Sequence, residues 1–173
     1  DKDVYDLITD EASLLDLNLN IRNTKAIVHV VQSYLGADVG DPGIVNGEAV
    51  QWHFFDDGAG VEQARVVAMN LVDGGVKTSD IWIIQTNTDS PPTQTPEGVT
   101  VTCPRFAKGL EAEHVIVCDL PPEFDDVGVA ALYVAVTRPR VTLHIIASKE
   151  DKRRLQALAR DQLMKTREQA KDK

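Results

Sequence analysis

Ile81-Trp82-Ile83-Ile84 is apolar at every position. A strand with one face in water alternates apolar and polar residues, so an unbroken short run belongs to a strand covered on both faces. Val115-Ile116-Val117-Cys118 is a second such run, and Thr142-Leu143-His144-Ile145-Ile146-Ala147 is nearly a third. Between them the apolar spacing becomes helical. Val61, Ala64, Val67, Ala68, Leu71 and Val72 line one face before Gly74-Gly75, Ala131, Leu132 and Val136 do so within 125–136, and Leu155, Leu158 and Leu163 do so after a capping Ser148. This alternation predicts an α/β layered domain with a mainly parallel sheet. Ligands of such sheets bind at the carboxyl ends of the strands.

The rest of the chain fits around this frame. Residues 3–19 mix Val4, Leu7, Ile8, Leu14, Leu15 and Leu17 with acids and read as a short helix or turn. Asn23 or Thr24 suits the N-cap of a helix carrying Ile27, Val31 and Leu35 and stopped by Gly36, which sets Arg22 just before a helix N-terminus. Residues 37–47 read as a loop, 50–55 alternate as a strand, 86–98 form a polar loop with three prolines, and Val99 and Val101 mark another short strand. The 173 residues make one domain, with a charged tail from about 165 expected to fray. The chain begins at Asp1 without an initiator Met, as a piece of a longer protein would.

Two cysteines, Cys103 and Cys118, lie in apolar stretches without a CxxC partner and read as buried thiols, which favours the cytosol. The four histidines are isolated in sequence, so no metal site is assigned. No apolar run approaches the length of a membrane span, and no membrane partner is expected. The net charge of −9 argues against a surface that coats nucleic acid. The balance is uneven, since residues 149–173 carry nine Lys/Arg against five Asp/Glu. An acidic body with a few placed cations can still hold a phosphate at one point.

Three cations stand where packing does not require them. Lys108 precedes Gly109, where a turn lets the backbone approach a ligand; the same pair also fits an ordinary solvated turn. Arg138 ends a helix of small and apolar residues that Pro139 stops, with Arg140 beyond. Either a helix-dipole contact or an anion accounts for Arg138. Arg22 opposes the dipole of the helix it precedes, which calls for another reason, such as an anionic ligand. There is no GxxxxGK[ST] loop and no Asp-Glu pair on a strand to hold magnesium, so these residues do not complete a nucleotide site by themselves.

In order, Asn20-Ile21-Arg22, Lys108-Gly109-Leu110-Glu111 and Leu132-Tyr133-Val134-Ala135-Val136-Thr137-Arg138 resemble the fourth, fifth and sixth motifs of superfamily 1 helicases of the UvrD/Rep/PcrA type. The resemblance covers nearly the whole chain and implies the second RecA-like domain, a three-layer fold of the P-loop NTPase kind. It resembles the compact members, because only the Pro-rich loop 86–98 stands where UvrD and Rep carry a large insertion. By this resemblance Arg22 reaches the γ-phosphate and Arg138 is the arginine finger. Asn20, Lys108 and Gly109 belong to the nucleotide-binding blocks, and Glu111 contacts the ribose. Ile21 stands where the family has an adenine-stacking Tyr. Cys103 and Arg105 take the positions of the DNA-facing Thr and His, and Phe106 reads as core.

What the resemblance implies is the C-terminal motor domain of an ATP-dependent DNA helicase. ATP and Mg would be held mainly by an N-terminal RecA-like domain of the same chain, and single-stranded DNA would be the track. The domain alone is expected to be inactive. The alternative is a degenerate copy serving as a non-catalytic binding or regulatory module, for which Ile21, Cys103 and Arg105 speak.

Overall fold

The apolar runs become the middle of a six-stranded sheet. In the computed structural model, which describes residues 19–20, 23–37, 41–42, 46–55 and 60–171, strand β4 (Ile81–Gln85) lies between β7 (Ala112–Cys118) and β6 (Thr100–Thr102). β8 (Pro139–Ser148) follows beyond β7, and β3 (Gln51–Phe55) closes that side. These five strands are parallel, and β5 (Thr93–Gln94), within the 86–98 loop, pairs antiparallel on the outer side of β6. A separate two-residue pairing joins β1 (Leu19–Asn20) to β2 (Asp41–Pro42).

Alternation explains why the runs are apolar throughout. Ile81, Ile83, Ile116, Cys118 and Ile146 enter one core cluster, while Ile84, Val115, Val117, Leu143, Ile145 and Ala147 enter the other. The first is roofed by α2 (Gly60–Asp73) through Ala64, Val67 and Ala68. The second is covered by α1 (Lys25–Val30, continued by a π turn over Val31–Leu35), α4 (Asp126–Val136) and α5 (Lys149–Lys171). The result is the expected α/β layering with a mainly parallel sheet.

Local signals set the helix ends. Val76 N donates to Leu71 O and Gly75 N to Val72 O, a Schellman closure in which Gly75 adopts φ +96°. Ser148 Oγ accepts from Asp151 N at 3.0 Å while the Asp151 carboxylate accepts from Ser148 N at 2.8 Å, a reciprocal cap that starts α5. Asp125 caps α4 through Gly128 N. Thr24 occupies the N-cap of α1 but its side chain makes no capping bond; Asn23 reaches elsewhere. Lys108 and Gly109 follow a short helix, α3 (Pro104–Ala107). The element expected over 3–19 lies, but for Leu19, outside the described residues, as does Arg22. No helix among the described residues is long and apolar enough to cross a membrane.

Candidate functional site

Strand direction decides which edge of the sheet each motif occupies. Glu111 precedes β7 and Arg138 precedes β8, so both stand at the amino ends of the strands. This corrects the expectation of a site at the carboxyl ends. The connections descend across a sheet face before the next parallel strand begins, and the motifs lie at the bottom of that descent.

At this amino edge three segments distant in sequence are tied together. Asn23 Nδ2 donates to Thr137 O at 3.1 Å, a buried bond across 114 residues. Arg138 is 7% exposed, with Nε donating to Val134 O at 2.9 Å, Nη1 to Leu110 O at 3.1 Å and Nη2 to Thr137 Oγ1 at 2.9 Å. The backbone repeats the link, since Ala112 N donates to Arg138 O. Arg138 therefore buttons the end of α4 to the turn before β7. Its guanidinium shares the Val134 carbonyl with Thr137 Oγ1, which donates to it at 3.1 Å.

Two charged side chains face outward beside it. Glu111 and Arg140 approach to 3.8 Å, and both are substantially exposed. Lys108 is exposed, and Gly109 adopts φ +82° with open space around it, so conformation rather than close packing calls for glycine there. The site can thus offer an anion the outward cations Lys108 and Arg140, with Arg138 held behind them. Asn20 has its backbone in β1.

The other half of the 103–111 block leads away. Cys103 follows β6 at the carboxyl edge, is fully buried and stands at the N-cap of α3. Arg105 is the solvent-facing member of that pair, its guanidinium carbon 5.7 Å from the centroid of the Phe106 ring. Phe106 is 38% exposed and not core: α3 is one turn at the surface, and Arg105 partly covers the ring.

At the carboxyl ends of β4 and β7, whose connections leave in opposite directions, lies a cleft of about 440 Å3 that includes Thr86, Asn87, Asp89, Pro121, Glu123 and Asp125. Its charged lining is acidic. Beneath it Asp119 adopts φ +49° and is held by Gln85 Nε2 at 2.8 Å and, through its carbonyl, by Thr86 Oγ1 at 2.8 Å. Arg154 ties the rim to α5, donating to Pro121 O at 2.8 Å and pairing with Asp151. Sequence reasoning found neither this cleft nor the roles of Asn23 and Thr137. The Asn20-Ile21-Arg22 block points to Arg22, and local spacing offers Asn23 only as a helix cap.

The histidines are not all isolated. His53 Nε2 lies 3.1 Å from His144 Nδ1 on the next strand, and His114 Nδ1 lies 2.8 Å from Thr142 Oγ1. Burial, with His53 and His114 nearby, pushes the His144 pKa down to about 4. Burial likewise lowers His53 and, with Asp119 adjacent, raises the Cys118 thiol. Among the described residues no group of three or more His, Cys, Asp or Glu is placed to hold a metal ion.

No family model and no curated protein matches the chain. Among solved structures it is similar to the C-terminal domain of a possible DNA helicase from Lactobacillus plantarum WCFS1, at a TM-score of 0.55 and 19% identity, over 73% of this chain and 86% of that one.

Proposed function

We propose that this domain is the distal half of an ATP-driven DNA motor, completing a nucleotide site on a P-loop domain that docks against its amino edge. The observation that carries this reading is the convergence of Asn23, Leu110, Thr137 and Arg138, from three separate motif blocks, on one edge. The fold shared with a domain described as part of a possible DNA helicase supports it.

In this reading Arg22 and Arg138 stabilise charge on the transferring phosphate, Glu111 takes the ribose, and Lys108, Gly109 and Asn20 shape the nucleotide's surroundings. The docked domain would hold most of the ATP and its Mg. Arg138 must then exchange an internal acceptor for phosphate, so closure of the two halves and release of the Leu110 carbonyl are one event. Arg105, exposed at the opposite edge, would touch single-stranded DNA, with Cys103 shaping the backbone there. A cytosolic setting agrees with two buried, unbridged cysteines.

The test is ATPase of the chain joined to its P-loop domain, with and without single-stranded DNA. Arg138→Ala should lower turnover by about 10³ to 10⁵ if the residue is a finger. Loss limited to a fewfold sinks that role. A second reading is favoured by the three bonds that already occupy Arg138: a non-catalytic module in which the arginine only fastens the fold. It predicts that Arg138→Ala lowers stability but leaves turnover within a fewfold.

A further inference from the structure

We propose that the outer edge of β3 and the groove beside it form a docking site for an extended acidic peptide carrying an apolar side chain, taken up as an added strand. β8 pairs with one side of β3, and no strand among the described residues pairs with the other. Gln51-Trp52-His53-Phe54-Phe55 contains neither Lys nor Pro, the residues that usually blunt a free edge. Backbone groups that no described strand pairs are a template for one more strand.

The side chains supply the specificity. Trp52 and Phe54, two apart and on the same face, stack at 6.1 Å and 6°, and Tyr34 meets Trp52 at 5.6 Å. With Leu155 and Gln156 they line a groove of about 140 Å3, room for one apolar side chain of an incoming strand. Lys152 Nζ lies 4.6 Å from the centroid of the Phe54 ring and meets no carboxylate among the described residues. It belongs to the 149–173 segment, which is basic within a chain of net charge −9. A cation at the rim of an apolar groove selects carboxylates beside the inserted side chain. A nucleic acid is the poorer fit, since Lys152 already covers Phe54 and one lysine neutralises one phosphate where a backbone needs several.

This site stands apart from the motor reading and does not depend on it. The probe is a short fluorescein-labelled peptide in which Phe and Asp alternate, titrated against the whole chain, with a Phe–Lys peptide as control. The Phe–Asp probe should bind in the micromolar range and protect the amides of 51–55 from hydrogen exchange. Lys152→Glu and Phe54→Ala, both at exposed positions, should each weaken it by about tenfold, or 1.4 kcal/mol. The proposal is overturned if the probe does not bind at millimolar concentration, if the Phe–Lys peptide binds as well, or if oligothymidine protects the same amides better. Dimerisation through the same amides, seen by light scattering and lost in Phe54→Ala, would overturn it too.

Discussion

Replacing Arg138 by Ala leaves the carbonyls of Leu110 and Val134 and the hydroxyl of Thr137 without a donor they now share. Part-buried acceptors stripped of a charged partner cost about 1–3 kcal/mol, which a urea melt of the domain alone would register. Arg138→Lys should recover only part, because one ammonium cannot reach three acceptors set for a planar fork. Asn23→Ala removes a single buried bond and should cost about 1–2 kcal/mol. The histidine pair makes stability depend on pH. An unfolded imidazole titrates near 6.5, whereas His144 is held down to about 4 and His53 is also lowered, so the unfolded chain binds protons first as pH falls. Stability is therefore full above about pH 6.5 and declines toward pH 4. Thermal melts between pH 7 and 5 should show this slope, and His144→Gln should flatten it; an unchanged slope in the variant would place its origin elsewhere. None of this is visible in sequence, where His53 and His144 stand 91 residues apart and only the β3–β8 register brings them to 3.1 Å.

At the scale of elements, sequence was a good guide wherever one periodicity ran long enough. The runs at 81–84 and 115–118 require cover on both faces, and each sends alternate side chains into the two core clusters. The helix from Gly60 and its glycine stop, and the Ser148 cap, likewise follow from local chemistry. Ser148→Ala removes half of the reciprocal cap and should cost about 1 kcal/mol, measured as a lower urea midpoint. Gly75→Ala and Gly109→Ala should each cost about 1 kcal/mol as well, since both adopt positive φ and neither would meet a clash. Short elements were illegible for the converse reason. α3 is four residues and β5 two, too short to display a period, so sequence alone places Phe106 in the core and hides the edge strand within the 86–98 loop.

For the whole molecule, the motif residues were legible but their edge was not. Sequence order fixes which strand a residue precedes; the rule about carboxyl ends pointed to the opposite side, where the acidic cleft lies. The carboxylates of that cleft repel phosphate, whereas the amino edge presents the cations Lys108 and Arg140. On the proposed motor reading, a domain that supplies only part of a phosphate site should gain nothing from nucleotide alone. Ligand that binds the folded state stabilises it by RT ln(1 + [L]/Kd), about 2.7 kcal/mol at a hundredfold excess over Kd. Millimolar ATP with Mg should therefore leave the melting temperature of the isolated 173 residues unmoved, and no turnover should be detected, with or without single-stranded DNA. Joined to a P-loop domain, the same chain should melt several degrees higher with a non-hydrolysable ATP analogue, and Arg138→Ala should abolish this shift more than Arg105→Ala does. A nucleotide-dependent rise in the isolated domain, or DNA-stimulated hydrolysis by it, would mean that the amino edge is a complete site and that no second domain is required.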